Sequence, residues 1–356
     1  MKSMTVFESD APSEIWGLVV KRITFTAIAE NPVTKVMEAR SAFGRAVIVN
    51  PNEFDIQAFP FYDLINSSKG TAPTVGCCPE PNVNLGATVK DFVEGSRRES
   101  AKGGIYEKDA KRCIFAMNPL HTNFVRPNGF IICQRKVISK PERYDALGLD
   151  CDSFMPLHGP YTAFVIDGGT AKVDTLMFDR GQPPSTLPEF AISGPALIKD
   201  GGDVSDNIPF RPTPRDKEPY GVIGTPSFLR LPPGPTRGDE VNYPPPSTMT
   251  SFSAIGVRES GELIFVSMFE ESRGHGNGCG HGITVYEMAE LLMHRQLEAQ
   301  YAIVSGGGAD TQQFLRGDWP QFLTAPVRAR APHQAPRSEV EGPRGLGAIL
   351  GILARQ

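Results

Sequence analysis

The chain has 356 residues, 40% of them hydrophobic, with a net charge of −4 and a pI near 5.9. This length and apolar content exclude a disordered chain, and the scattered Lys and Arg residues exclude the basic surface that nucleic acid selects. No stretch approaches the roughly 20 apolar residues of a membrane-spanning helix, and the acidic start MKSMTVFESDAPSEIW does not match a secretory signal. We therefore expect a cytoplasmic protein with neither nucleic-acid nor membrane partners.

Strand patterns dominate the first half of the chain. The segments GLVVKRITFTAI, RAVIVN and KRCIFAMN are apolar, rich in β-branched residues and bounded by polar or turn residues. Two hairpin patterns accompany them, FVRPNGFIICQRKVIS with a turn at residues 127–129 and YTAFVIDGGTAKVDTLMF with a turn at residues 167–169. These patterns predict a twisted and largely antiparallel sheet.

Two amphipathic helices are predicted by their N-terminal caps. In NLGATVKDFVEG, Thr88 stands three residues before Asp91, which is the spacing of an N-cap followed by an acidic partner. In HGITVYEMAELLMHRQLEAQ, Thr284 and Glu287 have the spacing of a capping box, and an apolar stripe follows. Together with the sheet, these helices predict an α+β fold, in which a few helices pack against a mixed, largely antiparallel sheet.

The second half of the chain contains a proline-rich segment. Residues 181–250 carry many of the 32 prolines, which prevents long regular elements there. Strand patterns return at SFSAIGV, so we predict one domain over residues 1–324 with a proline-rich excursion at about 181–250, a location typical of active-site loops. Residues 325–356 are expected to form a loosely held tail whose last turns dock on the body or on a partner subunit, which leaves self-association open.

A run of three glycines follows a buried strand in YAIVSGGGADTQQF. Gly306, Gly307 and Gly308 allow a ligand to approach the main chain, and their N–H groups can bind an anion or a developing oxyanion. Ser305 would add a hydroxyl donor, and Asp310 lies close in sequence. The alternative is a tight turn with no ligand.

The order of these motifs resembles the phosphodiester glycosidase family. The runs SAIGV, GELIFVSMF, GITVYEMAELL and AIVSGGGA are similar to the family's C-terminal signature, and the strand ending FAMN, up to Asn118, is similar to an earlier one. The resemblance spans about residues 85–315. It implies an enzyme whose substrate cleft has the three glycines as its floor and includes Asn118 and Asp310.

The chain departs from the family pattern at three places. Phe252 stands where the family has an arginine, and Ser305 stands at the family's aspartate. Glu270 is the middle residue of Phe-Glu-Glu, which replaces the family's Asp-Gly-Arg. Arginine grips phosphate or carboxylate through two hydrogen bonds, and aspartate can act as base, nucleophile or metal ligand. We expect a retained scaffold with altered chemistry, with Phe252 as an apolar wall that suits a less anionic substrate.

The candidate catalytic side chains are Glu270 at a strand end, three histidines and Ser305. His121 follows the FAMN strand, whereas His275 and His281 lie in the glycine-rich loop RGHGNGCGHG. Histidine titrates near neutral pH and suits general acid–base catalysis. The same loop holds Cys279, but its spacing matches no common zinc site, so we predict no metal and no cofactor. The alternatives are solvated carboxylates and a flexible loop with incidental histidines.

Two classes of function follow. The first is an enzyme that acts on a small-molecule substrate, such as a sugar, a nucleotide sugar or a similar polar conjugate. It would either hydrolyse this substrate or be redirected to elimination, isomerisation or cyclisation in specialised metabolite biosynthesis. The second is a ligand-binding protein without catalysis. A titratable group within hydrogen-bond reach of Ser305 would favour the enzyme.

Overall fold

The secondary structure is mainly β. The computed structural model describes residues 2–15, 17–30, 37–60, 88–94, 106–120, 122–123, 126–127, 129–140, 159–205, 251–270, 282–307, 311–317, 321–324 and 346–355. These segments contain twenty strands and three helices, two of six residues and one of nine. The α+β class expected from the sequence was therefore wrong, because the capped helices are short and the strand patterns extend into three sheets.

Strands far outnumber helices along the chain. The strands are β1 (Lys2–Ile15), β2 (Leu18–Glu30), β3 (Met37–Val49), β4 (Phe54–Pro60), β5 (Cys113–Met117), β6 (Thr122–Asn123), β7 (Arg126–Pro127), β8 (Ile131–Cys133), β9 (Lys136–Ser139), β10 (Gly159–Asp167), β11 (Thr170–Phe178), β12 (Phe190–Ser193), β13 (Ala196–Lys199), β14 (Gly202–Asp203), β15 (Phe252–Arg258), β16 (Leu263–Glu270), β17 (Ala299–Gly307), β18 (Gln312–Leu315), β19 (Gln321–Thr324) and β20 (Ala348–Ala354). The helices are α1 (Val89–Glu94), α2 (Glu107–Arg112) and α3 (Val285–Met293). None of these three helices is long and apolar enough to cross a membrane.

Three antiparallel sheets form the framework. The large sheet has eight strands in the order β1-β2-β3-β16-β15-β17-β13-β14. The second sheet has the order β19-β18-β5-β20-β4, and the third has the order β11-β10-β12-β8-β9. Among the described strands, β6 and β7 pair only with each other. Two stretches distant in sequence, residues 2–49 and residues 252–307, therefore meet in one sheet.

The central part of the large sheet is buried on both faces. Its inner face packs against the second and third sheets and carries Val47, Ile255 and Phe265, whose ring lies 5.6 Å from the ring of Phe115. Its helix face packs against α3 and carries Ala254 and Val266 among other apolar residues. Because neighbouring strand residues point to opposite faces, burial on both faces produces the nearly continuous apolar runs seen in the sequence.

Both predicted helix caps are present. The main-chain N–H of Thr88 donates to Asp91 Oδ2 over 3.1 Å, and that of Asp91 donates to Thr88 Oγ1 over 2.9 Å. Thr284 and Glu287 form the same reciprocal pair at the start of α3. These bonds satisfy main-chain N–H groups that have no partner within the helix. The first helix was expected to be short, and it is, whereas the cap at Thr284 indicated where α3 begins but not that it ends at Met293.

One of the two hairpin turns lies where the sequence placed it. Strands β10 and β11 pair as far as Asp167 and Thr170, with Gly168 and Gly169 between them at positive φ. The other turn does not lie at residues 127–129. Strands β8 and β9 are instead joined by Gln134 and Arg135, both at positive φ. A two-residue turn of this kind matches the twist of its strands even without glycine.

The C-terminal segment includes a central strand. Strand β20 pairs with β5 on one side and β4 on the other, and its residues 348–353 are buried. Leu350 and Ile352 join the core below the large sheet, whereas Ile349 and Leu353 join the core around α1 and α2. The expected tail thus ends in the body of the protein, and residues 325–345 lie outside the described residues.

Candidate functional site

The triple glycine begins where β17 leaves the large sheet. Ser253 of β15 pairs with Gly306, while the next residue, Ala254, pairs with Val304. Ser305 is therefore the additional residue of a β-bulge, and it is completely buried. Bulges end regular pairing and redirect side chains, and they are frequent beside active sites. After Gly307 the chain crosses to the second sheet, where β18 begins at Gln312.

Asn118 connects the two sheets at this point. It follows the last residue of β5 and is completely buried. Its Oδ1 accepts hydrogen bonds from Ser253 Oγ at 2.8 Å and from the main-chain N–H of Gln312 at 3.2 Å. The main-chain N–H of Asn118 in turn donates to Gln312 O at 3.2 Å. These bonds hold the side-chain amide in one orientation.

The contact with Asn118 explains the glycine at position 306. A Cβ atom at Gly306 would lie 2.1 Å from Asn118 Nδ2. This is far inside van der Waals contact, so only glycine permits the main chain of β17 to lie this close to the amide. Gly307 pairs with Phe252, and Gly308 and Asp310 lie outside the described residues.

Buried polar atoms with open hydrogen-bonding capacity lie on Asn118 itself and on residues next to Gly306 and Gln312 in the chain. Within the described residues, no hydrogen-bond partner is present for Asn118 Nδ2, Ser305 Oγ, Thr311 Oγ1 or Gln313 Oε1. Each such atom costs about 1–3 kcal/mol when nothing binds to it. Together they offer an amide donor, two hydroxyls and a carbonyl acceptor, which is a set suited to the hydroxyl and phosphate oxygens of a polar ligand.

A row of polar residues crosses the inner face beside Asn118. We call it the polar row; in register from β2 to β17 it consists of Arg22, Arg45, Ser267, Ser253 and Gly306. Arg45 is only 4% exposed, and Ser253 Oγ lies 3.4 Å from Ser267 Oγ. Gln313 Nε2 donates to the main-chain oxygen of Arg45 at 3.5 Å, which connects the row to the start of β18.

Sequence reasoning missed Arg45. The available signal was its position in the strand RAVIVN. Every second residue of a strand points to the same face, so Arg45 shares a face with Val47 and Val49 of the inner-face core. A charged residue at a core position of a strand is rare unless it is paired or functional. The family pattern, with its arginine at position 252, pointed instead to a different strand.

The structure brings Asn118, Ser305 and Gly306 together but places Phe252 elsewhere. Phe252 is completely buried and packs in the core of the helix face. Because Ser253 lies in the polar row of the inner face, the preceding residue points to the opposite face. Phe252 therefore does not meet Asn118.

The remaining candidates stay predictions. Glu270 ends β16 opposite Ala42, a residue of the helix-face core, and its side chain lies outside what the structure describes. His121, His275 and His281 also lie outside the described residues. No group of three or more His, Cys, Asp or Glu residues in the described segments could hold a metal ion.

The thiol nearest to the site in sequence is not a nucleophile. Cys113 begins β5 and is completely buried, and burial raises its pKa to about 12 despite the opposing effect of Arg316. Burial also raises the pKa of Cys133 on β8. Both thiols therefore remain protonated near neutral pH, and neither supplies the thiolate that nucleophilic attack requires.

Comparison with solved structures finds distant similarities. The structure of the zebrafish N-acetylglucosamine-1-phosphodiester alpha-N-acetylglucosaminidase catalytic domain, auto-inhibited by its propeptide, is 13% identical with a TM-score of 0.48, and the match covers 100% of this chain and 89% of that chain. A Burkholderia pseudomallei protein described as exported is 9% identical with a TM-score of 0.43, covering 99% and 96%. A hypothetical protein from Synechocystis is 14% identical with a TM-score of 0.39, covering 94% and 62%.

These structural similarities are weak, and no curated protein sequence matches. The assignment rests on the sequence profile of the phosphodiester glycosidases, which matches residues 100–337, well over half of the chain. The matched range includes Asn118, Ser253 and the three glycines, but not Arg22 or Arg45. The chain belongs to the phosphodiester glycosidase family, a family of hydrolases.

Proposed function

We propose that the protein hydrolyses a sugar conjugate, such as a sugar phosphodiester or a nucleotide sugar, at the site around Asn118 and Gly306. The observation that supports this proposal is the set of buried polar atoms with open hydrogen-bonding capacity at the contact of the two sheets. A sugar conjugate carries hydroxyl and phosphate oxygens that complement these atoms. Family membership supports the hydrolase scaffold.

The site residues bind and orient the substrate. Asn118 Nδ2 and the hydroxyls of Ser305 and Thr311 donate hydrogen bonds to substrate oxygens, and Gln313 Oε1 accepts one from a substrate hydroxyl. The amide of Asn118 is held by Ser253 and Gln312 and needs no reorganisation when substrate enters. Hydrogen bonds in this buried environment are stronger than in water.

Hydrolysis also needs an acid and a base. His121 lies three residues after Asn118 in sequence and is the candidate that the chain holds nearest to the site. Glu270, at the end of a strand neighbouring β15, is the second candidate. A histidine would be ready to exchange a proton near neutral pH.

One observation favours a second function. The polar side chains assigned here to substrate binding are amides and hydroxyls, and Ser305 stands where the family resemblance places an aspartate. A site with these groups alone would bind a sugar conjugate without cleaving it, or would serve elimination, isomerisation or cyclisation if a histidine supplied the proton transfer.

A turnover assay separates these functions. Purified protein is incubated with a panel of sugar phosphodiesters and nucleotide sugars, and mass spectrometry detects free sugar or rearranged product. The variants are Asn118→Ala and Ser305→Ala, and Ser260→Ala, an exposed serine in the turn after β15, serves as the control. We expect free sugar from wild type and from the control, with at least about a tenfold loss in Asn118→Ala, since a hydrogen bond to a charged group is worth about 1.5–3 kcal/mol.

Each other outcome has a defined meaning. A rearranged product in place of free sugar would assign the redirected chemistry. Binding of the panel without any product would assign the ligand-binding function. Neither binding nor product, with the protein shown to be folded, would overturn the proposal.

A further inference from the structure

An aromatic side chain on the inner face of the large sheet is open to solvent. Phe43 on β3 is 41% exposed, whereas Val47 and Val49, which point to the same face, are completely buried. Between them lies Arg45 of the polar row. The inner face of β3 therefore passes from the core, through the polar row, to an exposed aromatic ring.

The ring of Phe43 is supported by a second aromatic ring. Phe269 lies directly opposite on β16, and the two rings stack with their centroids 5.7 Å apart and their planes inclined by 26°. Phe269 is completely buried. This contact limits the orientations that the Phe43 ring can adopt, so a ligand that binds to it has little side-chain entropy to overcome.

Other exposed apolar side chains lie on the same face. Thr24 lies opposite Phe43 on β2, and Val6, which is 37% exposed, lies opposite Thr24 on β1. We call Val6, Thr24, Phe43 and Phe269 the outer row. Of the five large hydrophobic side chains that are exposed in the described segments, three, namely Val6, Ile28 and Phe43, lie on this face of β1–β3. Single exposed apolar residues need no explanation, but a group of them next to a candidate site indicates a binding surface.

The outer row lies beside the polar row. Phe269 is two residues from Ser267 along β16, which corresponds to roughly 7 Å. From Phe43 to Ser253, two strands away, the distance between main chains is roughly 12 Å. Ser253 donates to Asn118 at the candidate site. A hexose with one planar ring attached spans a comparable distance, so a single ligand can reach both places.

The exposed ring favours a planar apolar group as its ligand. Aromatic rings attract each other in offset or edge-on stacks, beyond the gain from burying apolar area. Small-molecule sites typically combine aromatic walls with a few polar groups that fix the orientation of the ligand. A protein partner fits less well, because three exposed apolar side chains fall far short of the roughly 800 Å² that each partner buries in a stable interface.

We propose that Phe43, supported by Phe269, stacks on a planar aromatic group attached to the substrate's sugar, either an aryl ring or a nucleobase. This inference rests on the proposed function, since it assigns the second half of the sugar conjugate bound at the same site. Phe43 would act in binding and specificity and would take no part in proton transfer.

Binding of matched uncharged ligands tests the proposal without requiring turnover. Isothermal titration calorimetry compares the methyl, cyclohexyl and phenyl 1-thioglycosides of glucose and galactose, whose sulfur linkage resists hydrolysis. A second pair, methyl riboside and uridine, tests the nucleobase. We expect wild type to bind a phenyl thioglycoside or uridine about three- to tenfold more tightly than its methyl counterpart, and the phenyl ligand more tightly than the cyclohexyl one. The pair that shows the preference identifies the aryl ring or the nucleobase.

Substitutions of Phe43 should change this preference alone. Phe43→Ala should abolish it and leave binding of the methyl ligands unchanged. Phe43→Leu keeps an apolar side chain but no ring, so the preference for phenyl over cyclohexyl should disappear, and Phe43→Tyr should retain it. Phe43→Leu also decides the question if Phe43→Ala does not fold, as judged by circular dichroism. Met177→Ala is the control, because Met177 is an exposed apolar residue on β11 of the third sheet, and it should bind as wild type does.

Two results would overturn the inference. One is a wild-type protein that binds neither the phenyl thioglycosides nor uridine more tightly than their methyl counterparts. The other is a folded Phe43→Ala or Phe43→Leu protein that keeps the wild-type preference for the aromatic ligand. Aromatic-selective binding without any hydrolysis would contradict only the proposed function, whereas hydrolysis of a sugar phosphodiester without this selectivity would contradict only the inference about Phe43.

Discussion

The substitution Gly306→Ala tests the geometry of the site directly. The added Cβ would lie 2.1 Å from Asn118 Nδ2, so one of the two must move. Asn118 cannot move without weakening its bonds to Ser253 Oγ and Gln312 N, each worth about 0.5–1.5 kcal/mol. Overpacking of a buried position costs a further 1–3 kcal/mol or so. We expect the free energy of unfolding to fall by about 2–4 kcal/mol.

Urea unfolding followed by circular dichroism measures this change. Gly202→Ala is the matched control, because a Cβ at that position meets only Lys199 O, at an ordinary 3.5 Å, and its stability should change by about 0.5 kcal/mol or less. The double variant Gly306→Ala with Asn118→Ala removes the colliding amide, so its loss should be smaller than the sum of the two single losses. A Gly306→Ala protein as stable as Gly202→Ala would refute the proposed contact.

Further predictions concern the hydroxyls, one cap and one thiol. Ser305→Ala and Thr311→Val remove hydroxyls without a partner among the described residues, so the free energy of unfolding in urea should stay unchanged or rise by up to about 1 kcal/mol. Binding of a sugar conjugate, measured by calorimetry, should weaken. A clear loss of stability would show that these hydroxyls have a structural role. Thr284→Ala should lower the free energy of unfolding by about 1 kcal/mol, whereas an unchanged urea midpoint would contradict the cap. Burial raises the pKa of Cys113 from 9.0 to about 12, so the thiol ionises first in the unfolded chain, and stability should fall by up to about 1.4 kcal/mol per pH unit between these values. Urea unfolding of Cys113→Ala should lack this part of the pH dependence, and identical slopes in the two proteins would contradict the assignment.

Interactions within a few residues were predictable from the sequence. The two helix caps depend on residues three positions apart, and the turn at Gly168 and Gly169 depends on two adjacent residues. Their geometry is decided locally, so the pattern carries the information. The fold class was not predictable in the same way, because the length of α1 and α3 depends on the sheet surface that each helix covers.

The geometry of the candidate site was predicted only in part for the same reason. Asn118 and Gly306 match the family pattern and do meet, and Ser305, which stands at the family's aspartate, adjoins Gly306 in the β-bulge. The side of the sheet to which Phe252 points, and the pairing that puts Arg45 in the polar row, depend on the register of strands far apart in sequence. A one-residue change of register exchanges the two faces, and no local motif specifies it.

The position of β20 in the second sheet affects how the protein can be made. Strands β4 and β5 leave the ribosome early, yet the strand that lies between them comes from the far end of the sequence. Until that strand emerges, each of the two exposes an unpaired edge together with apolar side chains such as Phe59 and Phe115. The nascent chain therefore has a long period in which chaperones or aggregation compete for these edges. A truncation that removes β20 should yield insoluble protein, although it deletes no residue of the candidate site.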